Sequence, residues 1–110
     1  LLVANLAQEG FDVFETEDGL DTVKIYMDSY QKGNPFDLVI ADLSIPNGVG
    51  GAKAIEDIMQ IDPAVKAIVS SGYSDDPVMA NPEHFGFSGV LPKPYQPKEL
   101  ISLVRHLLNA

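Results

Sequence analysis

The apolar residues alternate along the chain between helical spacing and short continuous runs. Helical spacing predicts helices over residues 1–9, 20–32, 54–61 and 97–108, and a short or irregular helix that starts at 77. Short apolar runs predict strands over residues 11–16, 36–41, 65–69 and 87–91. Alternating helices and strands are typical of an α/β domain with a doubly wound parallel sheet, in which the crossovers are right-handed.

The second predicted helix carries one clear apolar stripe. Its members, at spacings of three, four and three residues, are Leu20, Val23, Met27 and Tyr30. Such a stripe is typical of a helix face that packs in the core, so we expect these side chains to be buried rather than to bind a ligand.

Three polar side chains follow the ends of three predicted strands. Asp42 ends the apolar run 36–41, Ser71 follows 65–69, and Lys93 follows 87–91. Each has a simpler interpretation: Asp42 as a turn acceptor or helix cap, Ser71 as a turn residue, and Lys93 as a surface charge. Because the carboxyl ends of parallel strands share one edge, where ligands bind in such folds, we expect the three to meet there.

A carboxylate, a hydroxyl and an ammonium are suited to receiving a phosphoryl group. Aspartate forms covalent aspartyl phosphates, so Asp42 is the candidate phosphoacceptor. The ammonium of Lys93 and the hydroxyl of Ser71 would bind the phosphoryl oxygens. Backbone N–H groups near Leu43 and Gly72 are further candidate donors.

This chemistry predicts Mg²⁺ as the cofactor, because an anionic nucleophile repels an anionic phosphate. Mg²⁺ binds oxygen ligands, so Asp42 and the backbone carbonyl of Ser44 are the candidate metal ligands. A further carboxylate is expected from a neighbouring strand, but the sequence offers no convincing one. Asp75 and Asp76 precede Pro77 and are interpreted as a helix cap rather than a metal pair.

The composition limits the partners. The chain has 110 residues, a net charge of −9 and no cysteine, which predicts one domain over residues 1–110 without disulfides. The negative charge argues against direct binding to nucleic acid or an anionic membrane surface. No apolar run is long enough to insert into a membrane. We expect a cytoplasmic domain, in a parent protein that could itself be membrane-associated.

Four segments together resemble the receiver domain of two-component response regulators: FDVFETEDG, DLVIADLSIPNGVGG, AVKAIVSSGYS and FSGVLPKPY. The resemblance spans the whole chain and implies a flavodoxin-like fold. It also implies that Asp42 is phosphorylated by a histidine kinase or a histidine phosphotransfer domain, assisted by Ser71 and Lys93. A cis bond before Pro94 and a turn at Gly50 are implied as well, and a homodimer is a further candidate assembly.

The chain departs from this family pattern in three places. The family's first strand, which ends in an acidic Mg²⁺-binding pair, is missing, so the chain reads as N-terminally truncated and the sheet loses its middle strand. Either those residues belong to the full protein or a partner fills the gap. Val90 stands where many receivers have a switch aromatic residue, and Pro92 stiffens the strand before Lys93.

The resemblance leaves the parent protein and the activity open. The segment SSGYSDDPVMANPEHFGFSGVLPKPY resembles receivers at the C-terminus of hybrid sensor histidine kinases, although a stand-alone regulator fits too. The leading hypothesis is a non-enzymatic phosphoacceptor domain. The alternative is a pseudo-receiver, an interaction module that is not phosphorylated. A small phosphatase-like enzyme is disfavoured, because no second acid or base stands beside Asp42.

Overall fold

The computed structural model describes residues 2–16, 19–43, 51–72 and 77–109. Helices alternate with strands through these ranges. The helices are α1 (Leu2–Gln8), α2 (Gly19–Gln31), α3 (Gly51–Ile61), α4 (Pro77–Ala80), a 3₁₀ helix (Pro82–Phe85) and α5 (Pro97–Leu108), and the strands are β1 (Val39–Asp42), β2 (Ala67–Ser71) and β3 (Gly89–Pro92). None of the helices in the described ranges is long and apolar enough to cross a membrane.

The three strands form a parallel sheet in the order β1-β2-β3. The predicted α/β class with a parallel sheet is therefore confirmed. The central strand β2 is buried along its whole length, as expected for a parallel strand with helices on both faces. Each strand lies slightly later in the sequence than predicted, so Ser71 is the last residue of β2 instead of following it.

Two apolar clusters cover the opposite faces of the sheet. Successive strand side chains point to opposite faces, so Ala67 and Val69 join one cluster while Ile68 joins the other. The first cluster includes Tyr26 on α2 and two isoleucines on α3, and the second includes residues of α1 and α5. The apolar residues of α5 face inward, since Leu100, Val104 and Leu107 are buried and Leu103 and Leu108 are half-buried.

The predicted strand over residues 11–16 is wrong for this chain, because these residues form no strand. Phe11 and Val13 still pack against the cluster that contains Leu6, so their apolar character is satisfied without strand pairing. A strand needs a neighbour for its backbone hydrogen bonds. In the described part of the chain β1 pairs with β2 and with no strand on its other side.

The predicted inward face of α2 is wrong for three of its four residues; the fourth, Val23, is half-buried and packs against the first cluster. Leu20, Met27 and Tyr30 are 56%, 37% and 39% exposed, whereas Tyr26 is only 1% exposed. The Tyr26 hydroxyl donates a hydrogen bond of 2.6 Å to the Asp62 carboxylate just after α3, and its ring lies 6.1 Å from that of Phe36. A tyrosine that reaches both an acceptor and an aromatic ring turns the helix away from the predicted face.

Candidate functional site

The three candidate side chains lie at one edge of the sheet. Asp42 is the last residue of β1, Ser71 is the last residue of β2, and Lys93 directly follows β3. The backbone N–H of Lys93 donates a 2.9 Å hydrogen bond to the carbonyl of Ser71. The parallel pairing therefore brings the ends of the strands together, as the positions of these residues in the sequence predict.

Asp42 and Lys93 form a direct ion pair across this edge. The Lys93 Nζ lies 2.6 Å from the Asp42 Oδ2, and the two side chains are 35% and 37% exposed. The bond joins the ends of the two outer strands of the sheet across β2. The carboxylate is thus held by a cation and still open to solvent, which is the state required of an accessible anionic nucleophile.

Two consecutive serines end β2 and differ in their surroundings. In the strand register Asp42 lies beside Ser70, and Ser71 lies beside Pro92, one residue further toward the edge. The Ser70 hydroxyl donates a 2.8 Å hydrogen bond to the Leu91 carbonyl, so it joins β2 to β3. Ser71 is 2% exposed, and its predicted contact with a phosphoryl oxygen stays a prediction.

The two predicted backbone donors are placed differently. The Leu43 N–H donates to the Ser70 carbonyl at 2.9 Å, so a phosphoryl oxygen would have to share or replace this bond. Gly72 is exposed just beyond β2, and a Cβ added there would meet no atom within 4 Å. Ser44 and Gly50 lie outside the described residues, as do Asp75 and Asp76.

Tyr95 is a neighbour of the site to which the sequence alone assigned no role. Burial raises the pKa of its phenol; the charge of Asp42 raises it further, and that of Lys93 opposes the change. The phenol is therefore close enough to sense both charges. Its only signal in the sequence is its place two residues after Lys93, beyond the Lys93–Pro94 peptide bond, which is cis as the resemblance implied.

The described residues fit Mg²⁺ only in part. Among them, no three carboxylate, histidine or cysteine side chains come together as a metal site. Of the two candidate metal ligands, Asp42 lies among the described residues and Ser44 does not. Mg²⁺ is commonly bound by one or two carboxylates together with waters and substrate phosphates, so one carboxylate is compatible with this cation but does not make a complete site.

Comparison with known proteins agrees with this arrangement. Residues 1–105 match the family described as the response regulator receiver domain. The sensor kinase CckA of Brucella abortus is 28% identical over 107 residues, which are 97% of this chain and 11% of that protein. The response regulator UvrY of Escherichia coli K12 is 32% identical over 97 residues, which are 88% of this chain and 42% of that protein. The chain thus spans less than half of these relatives.

Solved structures share the fold. The CheY-like receiver domain protein from Methanospirillum hungatei has a TM-score of 0.84 at 19% identity, over 98% of this chain and 82% of that one. The receiver domain of the sensor histidine kinase PA1611 from Pseudomonas aeruginosa has a TM-score of 0.84 at 20% identity, over 99% of this chain and 86% of that one. That structure is described with a magnesium ion coordinated in its active site cleft. The sequence match and the shared fold lead to one conclusion: this chain belongs to the response regulator receiver domain family of two-component systems.

Proposed function

We propose that Asp42 accepts a phosphoryl group from a phosphohistidine of a histidine kinase or a histidine phosphotransfer domain. The observation that supports this most is the 2.6 Å ion pair between Asp42 and Lys93 at the carboxyl edge of the sheet. It combines a solvent-accessible carboxylate with a cation that stays beside it. An ion pair in such an open position would add little to the stability of the fold, since exposed pairs contribute at most about 1 kcal/mol.

In the proposed step a carboxylate oxygen of Asp42 attacks the phosphorus atom of the donor. The O–P bond forms as the P–N bond of the phosphohistidine breaks, and the electron pair of that bond stays on the imidazole nitrogen, which takes up a proton from water. The Lys93 ammonium then hydrogen-bonds to a phosphoryl oxygen in place of the carboxylate, and the Ser71 hydroxyl donates to another. Positioning and charge neutralisation are the main contributions of the protein to such a transfer.

Mg²⁺ is the proposed cofactor, with Asp42 as the carboxylate ligand present in the described residues. The Ser44 carbonyl is the second proposed ligand. When bound, the cation would offset the repulsion between the carboxylate and the incoming phosphate. The donor-binding surface is proposed to lie at the same edge, since the phosphorus atom must reach Asp42.

Mass spectrometry after incubation with Mg²⁺ and acetyl phosphate tests the proposal. The wild-type chain should gain the mass of one phosphoryl group, and Asp42→Asn should gain none. Asp37→Asn, which changes an exposed carboxylate before β1, is the matched control and should be phosphorylated like the wild type. Lys93→Met should slow phosphorylation roughly 10²–10³-fold, the usual effect of removing one charge-stabilising donor. Phosphorylation of Asp42→Asn at the wild-type level would overturn the assignment.

The pseudo-receiver remains the second candidate, and one observation favours it. The described residues bring no three metal-binding side chains together, so tight Mg²⁺ binding has little support within them. In a pseudo-receiver neither the wild type nor Asp37→Asn would gain phosphoryl mass, even at high Mg²⁺ and phosphodonor concentrations. The same experiment therefore separates the two functions.

A further inference from the structure

A pocket opens at the amino-terminal ends of β1 and β2, at the opposite end of the strands from Asp42. Its volume is about 360 Å³, within the roughly 300–1,000 Å³ of ordinary ligand pockets. Its walls come from α2, from the segments that lead into the two strands and from the end of α5. The lining residues include Tyr26, Tyr30, Phe36, Asp37, Asp62 and Lys66.

Aromatic rings form one wall of this pocket. Tyr26 and Tyr30 are about one helical turn apart on α2, so they share a face of that helix. The Tyr26 ring lies 6.1 Å from the ring of Phe36. Tyr26 is 1% exposed whereas Tyr30 is 39% exposed, so the Tyr30 ring is the one that a ligand can reach. The faces of tyrosine rings attract cations.

Two carboxylates line the pocket and differ in their contacts. Both oxygens of Asp62 accept hydrogen bonds, from the Tyr26 hydroxyl at 2.6 Å and from the Ala64 N–H at 3.1 Å. Asp37 is exposed, and its side chain has no hydrogen bond or ion pair within the described ranges. Burial raises the pKa of the Tyr26 phenol most, the hydrogen bond and charge of Asp62 raise it further, and the charge of Asp37 adds to them. The Asp37 carboxylate is thus close to the aromatic wall.

The lysine that lines the pocket is bonded elsewhere. The Lys66 ammonium donates a 2.6 Å hydrogen bond to the Leu107 carbonyl at the end of α5, where a cation also stabilises the negative end of the helix dipole. Two carboxylates and one bonded ammonium leave the pocket with a negative charge. A carboxylate without an ion pair beside an accessible ring is suited to binding a cation.

We propose that this pocket binds a guanidinium group, stacked on the ring of Tyr30 and hydrogen-bonded to the carboxylate of Asp37. A guanidinium is planar, so it can lie flat on a ring while two of its N–H groups donate to one carboxylate. An ammonium is a compact point charge and cannot make both contacts in this way. The same group occurs in small free compounds and in the arginine side chains of polypeptides. The inference does not depend on phosphorylation of Asp42.

The probe is acetyl-arginine amide, titrated into the isotope-labelled 110-residue chain and followed by NMR. Saturable shifts are expected at the backbone amide of Asp37 and at the ring signals of Tyr30. The dissociation constant should be about 1 mM, as is usual for a ligand of this size. No saturation up to about 30 mM, or shifts centred on Asp42 instead of Asp37, overturns the proposal.

Two analogues test the chemistry of the ligand without altering the protein. Acetyl-citrulline amide keeps the planar shape but is neutral, and acetyl-lysine amide keeps the charge but is not planar. Each should bind at least about fivefold more weakly than acetyl-arginine amide. Equal binding of the citrulline compound overturns the need for a cation. Equal binding of the lysine compound overturns the selection of a guanidinium.

Protein variants test the two proposed contacts. Asp37→Asn should weaken the binding of acetyl-arginine amide roughly tenfold, and Tyr30→Leu, which keeps an apolar side chain, roughly two- to fivefold. Glu56→Gln is the matched control, because it removes one negative charge from an exposed position on α3 outside the pocket. It should bind within about twofold of the wild type. Asp37→Asn binding as tightly as Glu56→Gln, or Tyr30→Leu as tightly as the wild type, overturns the proposal.

Methylguanidinium and an acetylated, amidated Gly-Arg-Gly peptide distinguish the two sources of the group. Tighter binding of the peptide by about threefold or more would indicate an arginine side chain of another polypeptide, because its neighbouring peptide groups then contribute contacts. A smaller difference, or tighter binding of methylguanidinium, would indicate a free guanidinium compound. Either result supports the proposal, and failure of both compounds to bind at Asp37 overturns it.

Discussion

The two sides of β1 differ sharply in how the chain is packed. On the β2 side, Ile68 and Leu100 are fully buried and each strand pairs with its neighbour. On the other side, Phe14 and Leu20 are 67% and 56% exposed, and residues 11–16 form no strand. The same chain therefore contains one region with a closed core and one region, around Phe14 and Leu20, where large apolar side chains stay exposed.

This difference shows that an apolar run becomes a strand only where a neighbour is available. Residues 65–69 and 11–16 both read as strands from the sequence. Only the first prediction corresponds to a strand, β2, which lies between two partners. Apolar burial alone does not fix strand geometry, because the backbone N–H and C=O groups also need hydrogen bonds. The sheet that carries Asp42, Ser71 and Lys93 thus depends on the pairing of β2 with both β1 and β3.

The largest expected effect separates the two regions by stability. Ile68→Ala removes a fully buried side chain and should lower the free energy of unfolding by about 2–5 kcal/mol. Phe14→Ala removes an exposed ring whose centroid lies 5.3 Å from that of Phe36, so this variant should lose about 1 kcal/mol of stability or less. Urea denaturation measures both. Equal losses would mean that the N-terminal region is packed as firmly as the β2 side.

The second expected effect concerns the link between α2 and the end of α3. Burial and the hydrogen bond to Asp62 raise the pKa of the Tyr26 phenol above its ordinary value of 10.0. The folded state therefore holds this proton more tightly than the unfolded state. The contribution of the Tyr26 phenol to the free energy of unfolding is complete below pH 10. It declines at higher pH, by up to about 1.4 kcal/mol per pH unit.

Urea denaturation of the Tyr26→Phe variant between pH 9 and pH 11, roughly one unit on either side of the ordinary tyrosine pKa, measures this contribution. The variant should lose stability less steeply with rising pH than the wild type. Tyr30→Phe changes an exposed tyrosine of the same helix and is the matched control, with a slope closer to that of the wild type than to that of Tyr26→Phe. If all three proteins had equal slopes, the Tyr26–Asp62 bond would not anchor α2.

The smallest expected effect concerns the attachment of α1. The Arg105 guanidinium on α5 lies 2.8 Å from the Glu9 carboxylate just after α1, and both side chains are about half exposed. Arg105→Gln should lower the free energy of unfolding by at most about 1 kcal/mol, but hydrogen exchange in α1 should speed up. Lys32→Gln breaks a pair with Asp28 within one segment and should leave exchange in α1 unchanged. Unchanged exchange in both variants would show that packing alone holds α1.

The sequence predicts secondary structure best where an apolar run also has a neighbouring strand to pair with. The apolar runs before Asp42, Ser71 and Lys93 predict three parallel strands, and the structure has them. The strand at 11–16 fails because its pattern says nothing about whether a partner strand is present. The buried face of α2 fails because Tyr26 depends on Asp62 and Phe36, which are distant in sequence.

The site is partly predictable for the same reason. Strand-end positions are enough to bring Asp42 and Lys93 to one edge, because parallel strands end together. The sequence does not reveal that Lys93 contacts the carboxylate directly, that Ser70 bonds to Leu91, or that Tyr95 senses both charges. Those features depend on the direction in which each side chain points, and a shift of about one residue in strand register would reverse that direction. Local sequence patterns do not specify the register so closely.

The Asp42–Lys93 bond also has a consequence for the order of folding. Its partners lie 51 positions apart in the chain, and both strands must first pair with β2. Closing such a distance requires a loss of chain entropy that only long-range strand pairing offsets. During refolding, helical structure should therefore return before the ion pair, so the proposed phosphoryl-acceptor activity would return at the last stage of assembly.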